Sequence, residues 1–278
     1  MTAVFLLFLV LALLALRQSV VLILIVAAAY VHWFWGDGDL TYLVDDIWSS
    51  INRNVLLAIP MFILAGNIMT RGSIAERLIA IIRALTQWLP GGLAVATILS
   101  CAVFAAISGS SPVTLLAVGS ILYPALLKEG YSKKFSLGAL ASGGTLGVVI
   151  PPSIPMILYA IATDKSISDL FLAGIIPGLM LAGVLSVYAL IANRKIQSEP
   201  FNFVQTVQAF RYGIFALMTP VILLGGIYSG FFSATEATAI AVGYSLFVEV
   251  FIHREIHITE FFSIAVDTAR LLGTLFPI

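Results

Sequence analysis

The sequence predicts an all-α polytopic membrane protein, and three observations carry that prediction. Sixty per cent of its 278 residues are hydrophobic and only 10% are charged, against roughly 25% charged in a soluble domain. Mean hydropathy is +1.08. The apolar runs are interrupted twice by polar, glycine- and serine-rich stretches. These are Ser108-Gly109-Ser110-Ser111, and Gly143-Gly144-Thr145-Leu146-Gly147 running into Pro151-Pro152-Ser153. In hydrocarbon, backbone that leaves the helix exposes unpaired N–H and C=O groups, each at a cost of several kcal/mol. Such breaks survive only where protein or a water-filled cavity covers them. Two breaks in neighbouring segments are the device with which secondary transporters hold ions and substrate near mid-membrane.

Apolar runs cover residues 3–16, 20–35, 55–69, 92–107, 113–127, 135–149, 154–162, 170–192, 212–228 and 237–251. A simple span needs about 20 residues, which 170–192 supplies. Runs 92–107 and 113–127 are short and joined by the Ser108–Ser111 turn, so they read as two half-helices of a re-entrant hairpin. Runs 135–149 and 154–162 are each too short alone and together form one discontinuous span, broken from Gly147 to Ser153 where two prolines remove backbone donors. Segments 40–51 and 74–88 are amphipathic at helical spacing and are expected in the membrane interface; the alternative is a connecting helix packed on the protein. The first residues, Met1-Thr2-Ala3-Val4, lack a basic n-region and read as the first membrane helix rather than a cleaved signal. The last apolar run, 271–278, stops after about half a span, so the chain is expected to be a fragment.

Charge gives an orientation. With the N-terminus periplasmic and a turn at Arg17, twelve of the fourteen basic residues fall on the cytoplasmic side. Only Arg53 and Lys165 lie outside, with Asp37, Asp39, Asp45, Asp46, Asp164 and Asp169. The single cysteine, Cys101, excludes an internal disulfide. His32, His253 and His257 are separated by membrane or exposed and form no metal site. No nucleophile–base pair, phosphate loop or nucleic-acid patch is present, so no enzyme and no nucleic-acid partner is expected.

Several stretches carry a resemblance to a known family: Ile59-Pro60-Met61-Phe62-Ile63-Leu64-Ala65-Gly66 with Gly72, Pro90-Gly91-Gly92-Leu93-Ala94, and Phe104 through Pro112. Gly130-Tyr131, Gly144-Thr145-Leu146-Gly147, Ile150-Pro151-Pro152-Ser153-Ile154 and Gly174-Ile175-Ile176-Pro177-Gly178 continue it, as do Gly225-Gly226-Ile227, Gly230-Phe231-Phe232 and Thr235-Glu236-Ala237. In order and spacing the chain resembles the large permease subunit of tripartite ATP-independent periplasmic (TRAP) transporters, and is expected to be truncated at its C-terminus relative to that family. The resemblance implies two inverted repeats, each with a re-entrant hairpin and a broken helix, moving as an elevator. It also implies a small membrane subunit, a periplasmic solute-binding protein, a carboxylate substrate such as a C4-dicarboxylate or sialic acid, and coupling sodium ions in the bacterial inner membrane, with no other cofactor. On that plan residues 1–89 are scaffold and arm helices, 90–168 the transport-domain hairpin and broken helix, 169–210 a span and cytoplasmic linker, and 211–278 the start of an incomplete second repeat. Two other readings stay open: a sodium–carboxylate symporter without a binding protein, and a non-transporting scaffold fragment.

The candidate sodium and substrate ligands are the oxygen-rich breaks: Ser108, Gly109, Ser110 and Ser111 on one side, and Gly144, Thr145, Gly147, Pro151, Pro152 and Ser153 on the other. Hydroxyls and turned carbonyls suit a cation, and half-helix N-termini suit an anion. Asn67 is a further candidate, or interhelical glue. Glu236 is expected to cap the helix that starts at Ser233, and Glu249 to snorkel from the end of its span.

Overall fold

The structure, a computed structural model, describes residues 2–36 and 38–275. Asp37 and the last three residues of the apolar tail, 276–278, lie outside the described residues. The chain divides into two compact units, residues 1–54 with 267–278, and residues 55–266. Among the described residues every regular element is helical.

In the smaller unit α1 (Thr2–Ala15) and α2 (Val20–Trp35) form an antiparallel hairpin that turns at Arg17 in the left-handed region, φ 55°. The Ser19 hydroxyl caps α2 by accepting from Leu22 N at 3.3 Å. Tyr30 closes the open end: its ring stacks on Phe5 at 5.9 Å and its hydroxyl donates to the Thr2 carbonyl at 3.1 Å. Helix α3 (Thr41–Ile51) follows a turn in which Asp39 accepts from the Thr41 amide and hydroxyl. It buries none of its residues.

A 3₁₀ turn at Asn54–Leu57 leads into α4 (Ala58–Arg71), then α5 (Ile74–Thr86), α6 (Gly92–Ser108), α7 (Ser111–Lys128), α8 (Lys133–Val149), α9 (Ile154–Thr163) and α10 (Ile167–Ala192). Next come α11 (Phe203–Tyr228), α12 (Ala234–Phe247) with a π turn at Val248–His253, and α13 (Ile258–Leu275), which leaves the larger unit after Val266. Helix α6 is the axis of the larger unit: it is buried along most of its length and packs on α8, α10, α5 and α7. Small residues make the approach close. A side chain at Gly143 would place its Cβ 2.9 Å from Cys101 Sγ, so α8 lies against α6 with no room for a methyl group.

Six helices of the described residues are long and apolar enough to cross a membrane, with the stretch Lys133–Thr163 counted as one. Their outer faces carry large exposed hydrophobics, Ile176 and Val184 of α10 among them. Such a surface is the wrong one for water and the right one for lipid.

Four expectations are corrected in detail. Helix α5 packs its apolar stripe, Ile74, Leu78, Ile81 and Ile82, against α11 and α6, so its amphipathicity serves the protein core. The linker expected up to residue 210 is helical from Phe203, because the Asn202 side chain accepts from Gln205 N at 3.1 Å and starts α11 early. Glycines 143, 144 and 147 belong to helix α8; the second break begins only at Ile150. Of the histidines expected to be separated by membrane or exposed, His253 has a buried side chain. The Ser233 cap is as expected: Glu236 N donates to Ser233 Oγ at 3.3 Å, and Ser233 N donates to Glu236 Oε2 at 2.8 Å.

Candidate functional site

The two breaks meet. In the first, only Gly109 (φ 59°, ψ 8°) and Ser110 (φ −131°, ψ 124°) leave the helix between α6 and α7. In the second, residues 150–153 separate α8 from α9, and the Pro151–Pro152 peptide is cis. Ile154 N, the first amide of α9, donates to the Gly109 carbonyl at 2.9 Å. One break thus supplies the acceptor for an orphan donor of the other, which backbone in an apolar medium requires.

Close packing seals the seam. A Cβ at Gly109 would sit 3.0 Å from the Pro152 carbonyl oxygen, and one at Gly147 would sit 3.0 Å from Ser111 N and 3.1 Å from the Ser110 carbonyl carbon. Gly109 is needed twice over, for its positive φ and for this approach. From the other side α4 presses on the hairpin, where a Cβ at Gly66 would lie 3.0 Å from Ser108 Cβ and 2.9 Å from a Val113 methyl.

The hydroxyls are buried and oriented. Ser108 and Ser153 expose none of their surface and Ser110 only 5%. Ser108 Oγ pairs with Thr114 Oγ1 at 2.9 Å and lies 3.4 Å from the Ser110 carbonyl. Ser153 Oγ donates to the Val148 carbonyl at 2.6 Å, satisfying an orphan acceptor at the end of α8. Pro151 and Pro152 are buried, and Ser111 is half-buried. Thr145 stands apart: it is exposed, and its hydroxyl donates to the Ser142 carbonyl on its own helix at 2.7 Å. Gly144 faces Leu115, whose Cβ a substituent would meet at 3.3 Å. Asn67 lies half-buried on α4 beside Gly66.

Four helix ends converge on this seam. Helices α6 and α8 bring C-termini, with carbonyl oxygens and partial negative charge; α7 and α9 bring N-termini, with amides and partial positive charge. The two N-termini are built alike. Ser110 and Ser153 hold the N-cap positions with nearly equal dihedrals (φ −131° in both), and neither hydroxyl caps its own helix. Pro112 and Pro155 follow two residues later, where a missing amide costs nothing. The shared Ser-x-Pro pattern at 110–112 and 153–155 is the signal that sequence reading overlooked, and Pro155 is the residue it missed. A cavity of about 410 Å³ lies elsewhere between α6, α8 and α10, lined by Ile98, Lys134, Phe135, Leu185 and Tyr188; none of the seam residues lines it.

Glu249 was expected to snorkel and does the opposite. It exposes none of its surface, because its carboxylate accepts from Ile74 N at 2.6 Å across the unit. Among the described residues no group of three or more His, Cys, Asp and Glu side chains is placed to hold a metal ion.

Comparison with known proteins places this architecture. A model of the tripartite ATP-independent periplasmic transporter DctM component matches residues 7–278. The chain is 42% identical over 246 residues to an ectoine TRAP transporter large permease protein of Halomonas elongata, covering 87% of this chain and 58% of that one. It is 42% identical over 224 residues to a C4-dicarboxylate TRAP transporter large permease protein of Vibrio cholerae (79% and 49% covered). It is 34% identical over 241 residues to a 2,3-diketo-L-gulonate TRAP transporter large permease protein of Escherichia coli (85% and 57% covered). The chain therefore spans about half the length of these relatives, which are named as permeases and not as enzymes. With its apolar helices and its family match over residues 7–278, this multi-pass membrane protein belongs to the DctM family of TRAP transporter large permease subunits.

Proposed function

We propose that the chain forms the ion- and substrate-holding part of a sodium-coupled, binding-protein-dependent importer of small organic anions in the bacterial inner membrane. The observation that carries this reading is the 2.9 Å hydrogen bond from Ile154 N to the Gly109 carbonyl, which joins two breaks and four helix ends in one buried place. Carbonyl ends of α6 and α8, with the hydroxyls of Ser108, Ser110, Ser111 and Ser153, suit sodium. The amide ends of α7 and α9 suit a carboxylate. Relatives named for C4-dicarboxylates and for a diketogulonate support an anionic substrate. On this reading residues 90–168 move as an elevator against the remaining helices, a small membrane subunit supports those helices, and a periplasmic binding protein delivers the substrate.

Because the chain covers 49–58% of these relatives, uptake is proposed for the assembled importer, and the test suited to this chain is sodium binding. Purified in detergent, it should melt at a higher temperature in sodium chloride than in choline chloride of equal ionic strength. Saturation at about a hundred times the dissociation constant adds about 2.7 kcal/mol. Ser110→Ala should shrink that shift, and Thr145→Val, whose side chain is exposed while that of Ser110 is buried, should shrink it less. Equal melting in sodium and choline would reject the reading.

A further inference from the structure

A second buried polar cluster lies where α5 begins, away from the seam. Glu249 Oε1 accepts from Ile74 N at 2.6 Å, and Glu249 Oε2 lies 3.4 Å from Ser73 Oγ and 3.5 Å from His253 Nδ1. His253 Nδ1 is 3.0 Å from Ser73 Oγ, and Arg77 Nε donates to that same oxygen at 2.9 Å. Gly72 leaves room for the carboxyl, which any Cβ there would overlap. The Phe215 ring meets the imidazole edge-on at 6.3 Å, and His253 Nε2 is buried with no hydrogen-bond partner.

The Ser73 hydroxyl has one hydrogen and two lone pairs, and Arg77 Nε occupies one lone pair. If His253 Nδ1 is bare, it takes the Ser73 hydrogen and Glu249 Oε2 receives nothing from Ser73. If Nδ1 carries a hydrogen, it fills the second lone pair, and the Ser73 hydrogen turns to Glu249. The Ser73 hydroxyl therefore points to the imidazole or to the carboxylate according to the state of His253 Nδ1, while the bonds from Arg77 and Ile74 stay fixed. Besides Glu249, the charged groups that face His253 are Arg77 from α5 and Glu255 from the turn after it. Helix α11 contributes only the Phe215 ring and, to Arg77, the Tyr212 carbonyl at 3.1 Å, and the end of α4 contributes Gly72. Ionisable pairs inside membrane segments mark proton relays.

We propose that Ser73, Arg77, Glu249 and His253 form a buried proton-binding site whose occupancy sets how firmly α5 is tied to the π turn Val248–His253. With Glu249 ionised, its bond to Ile74 N is charge-assisted; an added proton on the carboxyl leaves a neutral and weaker one. Since α5 packs on α6, the tie reaches the hairpin that carries the seam. The proposal does not depend on sodium binding there.

Hydrogen–deuterium exchange tests it in the whole chain, held in lipid nanodiscs. Exchange is read at the first turn of α5 at pH 8 and pH 5 and corrected for the intrinsic rate. Wild-type protection should fall about tenfold at pH 5, the ratio separating a charge-assisted from a neutral hydrogen bond. Glu249→Gln keeps an acceptor for Ile74 but takes no proton, and its protection should be equal at both pH values. A flat wild-type profile, or a Glu249→Gln protein that responds like wild type, overturns the proposal. Should Glu249→Gln not fold, infrared spectra of wild type and Ser73→Ala decide. A water-free protonated-carboxyl band that grows on acidification and is displaced in Ser73→Ala is expected. No such band in wild type, or identical bands in the two proteins, overturns it.

Discussion

Gly147→Val is expected to force α7 off α8 and to destabilise the protein by about 2–3 kcal/mol. The added Cβ would sit 3.0 Å from Ser111 N and 3.1 Å from the Ser110 carbonyl carbon. Both neighbours are backbone, held at the start of α7 and unable to rotate away. Valine then adds two methyl groups in a restricted rotamer, so the strain falls on the first break. Gly183→Val is the control, since nothing lies within 4 Å of a Cβ at that position on α10. Thermal unfolding in detergent should separate the two variants clearly, and the sodium response should vanish only in Gly147→Val. Equal stability would mean that the breaks are not pressed together as described.

Glu249→Ala should cost about 3 kcal/mol, because removing one partner of a buried charged network strands the others. Ile74 N loses its carboxylate acceptor, and the Ser73 and buried His253 side chains lose the carboxylate oxygen beside them. The exposed Glu260, changed in the same way, should stay within about 0.5 kcal/mol of wild type. Chemical unfolding of both variants checks this, and a Glu249→Ala protein as stable as Glu260→Ala would remove the carboxylate from the account of how α5 is held.

Much of the fold was legible because membrane helices announce themselves by length and apolarity. Helix α2 runs over Val20–Trp35, the same residues as the apolar run, and the first break falls inside the expected Ser108–Ser111. The second break was legible from its two prolines. Its start was misread, because glycine signals two things with one letter. Gly143, Gly144 and Gly147 mark close approach of α8 to α6 and α7, which in sequence looks like loss of helix. Amphipathicity is ambiguous in the same way: α5 shows one apolar face whether lipid or protein covers it, and only its packing on α11 and α6 decides.

Glu249 was illegible for a different reason. Its partners, Ser73 and Ile74, lie 176 and 175 residues away in the chain, and no local pattern records a contact made by tertiary packing. The seam is an intermediate case. Each break is written locally, in Ser-x-Pro at 110–112 and again at 153–155, whereas the hydrogen bond that joins them is visible only in three dimensions. Thr145 shows the limit of reading by residue type: its hydroxyl is of the right kind, yet helix phase turns it outward to Ser142.

The central claim is that one sodium site is shared by the two breaks, and a double-mutant cycle in sodium affinity tests it most directly. Ser110→Ala, Ser153→Ala and the double variant are titrated with sodium chloride against choline chloride, with melting temperature as the readout. The account predicts weaker binding in each single variant and a coupling between them above about 0.5 kcal/mol, since both hydroxyls would face one ion. Effects that add within about 0.3 kcal/mol, or single variants that bind sodium as wild type does, would contradict it.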